Sequence, residues 1–179
     1  KLNTSGVIQW RKTFQANNYG VGYSIKLNST GTAIYVLGEV HDASGQSVQV
    51  LLKYNASGTL LWHKTLSYPR SAKSYLHIDS SDNLYVLWSN NIAKFNDAGT
   101  VTWTKNLQVS VGYYRRMITD ASGNIYVIGY SGTGSSGTTP FYCLTTKLSS
   151  SGIVQWSNRY AVNAVSIFTD DAYSAPSNI

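Results

Sequence analysis

The sequence predicts an all-β protein assembled from repeated four-stranded antiparallel units. Three observations carry this expectation: a composition poor in helix formers, two short motifs that alternate along the chain, and turn residues that punctuate short apolar stretches. The chain has 179 residues, of which only 12% are charged, and Glu39 is its single glutamate. Glu, Lys, Ala and Leu, the residues that favour helices, do not dominate. Val, Ile, Thr, Tyr and Trp, which suit a pleated half-buried surface, are plentiful, with 14 Tyr and 5 Trp. An aromatic content of 13% argues against disorder. No run of apolar residues is long enough for a transmembrane helix, so no membrane span is expected.

The first motif starts the chain as Lys1-Leu-Asn-Thr-Ser-Gly6-Val-Ile-Gln-Trp10. It returns as Lys53-Tyr-Asn-Ala-Ser-Gly58-Thr-Leu-Leu-Trp62, as Lys94-Phe-Asn-Asp-Ala-Gly99-Thr-Val-Thr-Trp103, and as Lys147-Leu-Ser-Ser-Ser-Gly152-Ile-Val-Gln-Trp156. Lys, Gly and Trp keep the same spacing in every copy, and successive tryptophans stand 52, 41 and 53 residues apart. The second motif reads Asn28-Ser-Thr-Gly31-Thr-Ala-Ile-Tyr35-Val, then Asp79-Ser-Ser-Asp82-Asn-Leu-Tyr85-Val, then Asp120-Ala-Ser-Gly123-Asn-Ile-Tyr126-Val.

Each motif is a turn that opens into a strand. Asn or Asp begins the turn because its side chain can accept from the backbone two residues on, and Gly closes it because it tolerates positive φ. In the first unit the strands are expected near 21–27, 33–40, 47–54 and 60–66. Four short strands in a unit of 40–50 residues is the pattern of a β-propeller blade. Units over 11–62, 63–103 and 104–156 make three full blades of one domain, with partial blades at 1–10 and 157–179. Three blades are fewer than a usual ring, so the expectation is a portion of a larger propeller, or a protomer that completes itself on its neighbours through open blade edges.

The Lys-x-Asn-x-x-Gly-x-x-x-Trp element resembles the tryptophan-docking motif of PQQ-type propeller repeats, and the Asp-x-Ser-Gly-Asn-x-Tyr-Val element resembles the SBBP class of bacterial β-propeller repeats. The resemblance covers most of residues 1–160. It implies that Trp10, Trp62, Trp103 and Trp156 dock between neighbouring blades, a structural role. It implies a blade type and no particular activity, since such repeats occur in enzymes, assembly scaffolds and surface proteins.

An antiparallel meander sorts its loops onto two edges. The nearly identical Asx-Gly turns fall on one, and segments that differ between units (41–47, 67–74, 89–91, 108–113, 131–140 and 161–172) fall on the other. Variable loops on a repeated scaffold are the natural seat of binding. The candidate binding residues there are Tyr68, Arg70, Trp88, Tyr113, Tyr114, Arg115 and Arg116, with Tyr19, Tyr23, Tyr75, Asn90, Asn91 and Tyr130 nearby. Tyr and Arg are large, amphipathic side chains that binding surfaces favour, and aromatic faces stack on sugar rings.

Catalytic patterns are weak. His41, His63 and His77 stand at different places in their units, with no His/Glu or His/Cys pairing at metal-ligand spacing. No Gly-x-Ser-x-Gly elbow occurs. The Asp79 and Asp120 turns resemble calcium loops only superficially, lacking the later Gly and bidentate Glu. Neither a catalytic residue, a metal site nor a cofactor is expected. Cys143 is alone, so no intramolecular disulfide can form. The net charge of +6 comes from scattered residues, which argues against a nucleic-acid partner.

Low charge with abundant Ser, Thr, Asn, Gly and Tyr resembles the exposed domains of bacteriophage tail and fibre proteins and of bacterial surface proteins. The expected function is therefore a non-catalytic scaffold or adhesion module in a virion or on a cell surface, meeting a glycan or a protein neighbour. The alternatives are a periplasmic assembly scaffold and a fragment of a quinone-dependent, PQQ-type dehydrogenase, the latter poorly supplied with acidic residues for an axial calcium site.

Overall fold

The computed structural model describes residues 1–14, 20–66, 74–108, 112–132 and 142–161. The chain is all-β, and no helix occurs among the described residues. Among the described residues twelve strands form three four-stranded antiparallel sheets, each in sequence order. The first sheet holds β1 (Gly20–Leu27), β2 (Ala33–His41), β3 (Ser47–Asn55) and β4 (Leu60–Leu66). The second holds β5 (Tyr75–Ile78), β6 (Leu84–Trp88), β7 (Asn91–Phe95) and β8 (Val101–Asn106). The third holds β9 (Tyr113–Thr119), β10 (Ile125–Ser131), β11 (Tyr142–Leu148) and β12 (Val154–Ala161). In the first sheet each strand lies within a residue of its expected place. Residues 157–161 complete β12 rather than opening a following unit, because the repeated Trp sits mid-strand and not at the strand's end.

The turns are built as their residue types dictate. Asn55 Oδ1 accepts from Ser57 N at 3.1 Å and Thr59 N at 2.8 Å, while Gly58 N closes the turn onto Asn55 O at 3.0 Å. The same construction recurs at Asn3, Asn96 and Asp120. It also recurs at Asp42, so the segment of the first unit on the variable edge is itself a tight turn over 42–45. Asp82 stands where other units have Gly and adopts φ 61°. That unfavourable conformation is compensated across the sheets, since the Asp82 carboxylate accepts from Ser29 N at 2.7 Å and Ser29 Oγ at 3.0 Å.

The sheets stack face to face in chain order. Tyr35, Leu37 and Leu51 of the first meet Leu76, Leu84, Val86 and Phe95 of the second. Tyr85, Leu87 and Ile92 on the second sheet's other face meet Tyr114, Met117, Val127 and Leu144 of the third. Strand β6 is buried along its whole length because both of its faces are covered, which explains its unbroken run Leu-Tyr-Val-Leu-Trp. A third cluster, Ile34, Val40, Val50, Leu52 and Tyr54 on the other face of the first sheet, is met among the described residues by Trp10 and Phe14.

Candidate functional site

The two motifs come together in a row that crosses each sheet. In the first sheet Tyr35 pairs with Lys53 and Lys53 with Trp62. Tyr85, Lys94 and Trp103 repeat this in the second sheet, and Tyr126, Lys147 and Trp156 in the third. The lysine ammonium lies over the tyrosine ring at 5.4, 5.4 and 5.3 Å, and the tryptophan meets that ring at 6.2, 6.2 and 6.3 Å. Beside Trp62, Trp103 and Trp156 the register slips by one residue, a bulge repeated at the same place in each sheet, and as direct cross-strand partners Lys and Trp share a face.

Each tryptophan then reaches the turn glycine of the next motif copy. A Cβ on Gly58 would stand 2.8 Å from the Trp10 ring, on Gly99 3.0 Å from Trp62, and on Gly152 3.1 Å from Trp103. These glycines are buried and have φ of 81°, 75° and 81°, so the missing side chain serves both the turn and the ring. The Trp10 indole also donates to Ala56 O at 3.2 Å. Trp156 has no such seat among the described residues and is 40% exposed.

Where the first and second sheets meet, Lys53 Nζ donates to both Asp97 oxygens at 2.6 and 2.7 Å, and the Tyr35 hydroxyl donates to the same carboxylate. The lysine hydrogen bond, with help from Tyr35, holds the Asp97 carboxyl below the usual carboxylate range. Burial, and then Asp97, push the Tyr35 phenol far up. The Asp79 carboxylate accepts from Ser81 N, Asn83 N, Asn83 Nδ2 and the Tyr85 hydroxyl, which leaves its oxygens committed to the turn. Burial opposes the charge on Asp79, but these bonds outweigh it and its carboxyl stays below the ordinary value. Among the described residues no three His, Cys, Asp or Glu side chains are grouped to hold a metal ion.

The opposite edge carries the expected binding residues, and the structure divides them. Tyr113 is 52% exposed and meets Tyr130 edge to face at 6.0 Å. Arg115 lies over the Tyr130 ring at 5.0 Å and donates to its hydroxyl at 3.3 Å. Arg116 lies over Tyr75 at 5.0 Å, and Lys26 approaches the same ring at 5.6 Å, so a tyrosine on the first strand of the second sheet gathers cations from the first strands of the other two. A bulge in β9 leaves both arginines exposed where strict alternation would bury one. His77 follows on the same strand as Tyr75, its Nε2 bonded to Thr119 Oγ1 at 3.0 Å; burial, then Lys26, lower its pKa against the pull of Asp79.

Two expected surface residues are corrected. Tyr114 is buried, with its hydroxyl 2.6 Å from Thr146 Oγ1, and Trp88 is buried within the core shared by the first and second sheets. Both fall on the inward side of strands whose register the sequence does not reveal. Tyr68 and Arg70 lie outside the described residues. Sequence reasoning also missed Tyr130 as the partner of Arg115 and Lys26 as the partner of Tyr75. The placement of Tyr113 and Tyr130 at matching ends of a hairpin was a signal for the former, and none existed for the latter.

On the face of the first sheet away from the second, a cavity of about 660 Å³ is lined by Trp10, Phe14, Ile25, Val36, Val50 and Leu52. Ile25 and Val36 occupy the register positions of Leu76 and Val86, which the first sheet covers in the second.

No known protein family matches the chain, and no curated protein does. Among solved structures it is similar to a protein of unknown function from Bacteroides caccae, with 12% identity over 89% of this chain and 73% of that one and a TM-score of 0.38. That likeness is too remote to bear on function.

Proposed function

We propose that the three sheets are consecutive blades of a β-propeller serving as a non-catalytic scaffold or adhesion module, in a phage tail or fibre or on a bacterial surface. The supporting observations for the blades are the repeated four-strand meander and the Trp-on-Gly contact between successive units. The binding role rests on one observation: exposed Tyr113 and Arg115 pack on half-buried Tyr130 at the edge where the units differ. Such a cluster suits a sugar ring stacked on tyrosine or a protein surface met by arginine. The placement in a virion or at a surface rests on the low charge and the abundance of small polar residues.

The test is the pair Arg115→Ala, Arg116→Ala assayed on a glycan panel and on intact bacterial cells. Both side chains are exposed, so the variant keeps its thermal midpoint within the few degrees that two cation–π contacts of about 0.5–1 kcal/mol explain, and it loses binding. Unchanged binding, or a large loss of stability, would assign the pair to structure instead.

A further inference from the structure

We infer that the chain associates head to tail with a second copy of itself, Trp156 of one seating on Gly6 of the next. The motif occurs four times, and each copy brings a glycine seat and a tryptophan to fill one. Inside the chain Trp10, Trp62 and Trp103 fill the seats at Gly58, Gly99 and Gly152. Among the described residues that leaves the Gly6 seat and Trp156 without a counterpart. Gly6 has the same φ of 76° and the same Asx turn, yet a Cβ there would meet nothing within 4 Å. Trp156 keeps the same stacking on Tyr126 and the same lysine, yet is 40% exposed, where the other three tryptophans are partly buried.

The face around Trp156 is equally exposed among the described residues. Ile128 holds the register position of Leu37 and Leu87, which are 0% and 1% exposed against the next sheet, but Ile128 itself is 48% exposed. Ile118 beside it is 64% exposed. A surface of this kind, built like two that the same chain covers internally, is complementary to the leading end of an identical chain and not to itself. The contact is therefore heterologous, and it propagates into a closed ring or an open filament according to the rotation at each step. It stands apart from the binding edge proposed above, which uses none of these residues.

The experiment is sedimentation velocity on the 179-residue chain over a concentration series reaching the millimolar range, with two variants. Trp156→Ala removes the ring. Gly6→Asn fills the seat with a residue that tolerates positive φ, so the hairpin keeps its shape. The wild type is expected to sediment faster as concentration rises, while each variant alone stays monomeric with an unchanged thermal midpoint. Mixed together, the two variants retain one intact end each and form a dimer that grows no further. A wild type that stays monomeric throughout the series overturns the inference. So does association that survives either substitution, or a mixture that remains monomeric when the wild type associates.

Discussion

Replacing Gly99 with alanine separates the two roles assigned to the motif glycine, because Gly6 supplies a control with the same backbone and an empty seat. At Gly99 the new methyl group would stand 3.0 Å from Trp62 Cη2 and 3.1 Å from Lys64 Cγ, at φ 75°. At Gly6 it would meet nothing, at φ 76°. An L-residue in the left-handed region costs about 1–2 kcal/mol at either position. Crowding a packed ring adds roughly 1–3 kcal/mol at Gly99 alone. Gly99→Ala should therefore lose about 2–5 kcal/mol and Gly6→Ala no more than about 1–2, so that their difference reads the packing alone. Urea titration followed by tryptophan fluorescence, at low protein concentration, measures both. Trp62→Ala should itself cost roughly 3–5 kcal/mol, and in that background Gly99→Ala should become milder because the ring it strikes has gone. Equal losses at Gly99 and Gly6, or strict additivity with Trp62→Ala, would refute the docking argument.

Three further outcomes follow from the geometry. Asp97→Asn should lower stability at neutral pH by about 0.2–1 kcal/mol, a small value because the carboxylate side chain is 66% exposed and screened. The depressed carboxyl of Asp97 contributes in full above its ordinary value of 3.8 and loses that contribution as pH falls through the lowered value, so acid melts of this variant should show a shallower decline below 3.8. His77 is held neutral by burial, so its contribution is complete above 6.5 and declines as pH falls toward its lowered value; His77→Gln should flatten that part of a stability–pH curve measured by thermal melting. Tyr114→Phe should cost about 0.5–1.5 kcal/mol through loss of its buried hydroxyl bond, whereas Tyr113→Phe should be silent in the same denaturation assay.

Much of the architecture is legible residue by residue. The Asn55–Gly58 turn and its copies can be read from the chain because an Asx side chain and a positive-φ glycine act within four residues. The strands between such turns then have little freedom of placement, which is why β1 to β4 lie where the pattern puts them. The candidate binding edge was less legible. Tyr113 and Tyr114 are adjacent and chemically alike, yet one is half exposed and the other is buried against Thr146.

The amino-acid order alone determined the repeat, its turns, its strands and the all-β class, since each depends on local backbone preference and on period-two alternation. Only the tertiary structure decided which glycine each tryptophan covers, which tyrosines face water, and that a bulge in β9 turns both Arg115 and Arg116 outward. Those outcomes depend on register and on the presence of a neighbouring sheet. Trp62 and Trp156 close the same motif, with Lys, Gly and Trp at the same spacing, and they differ because a sheet follows one, while none among the described residues covers the other.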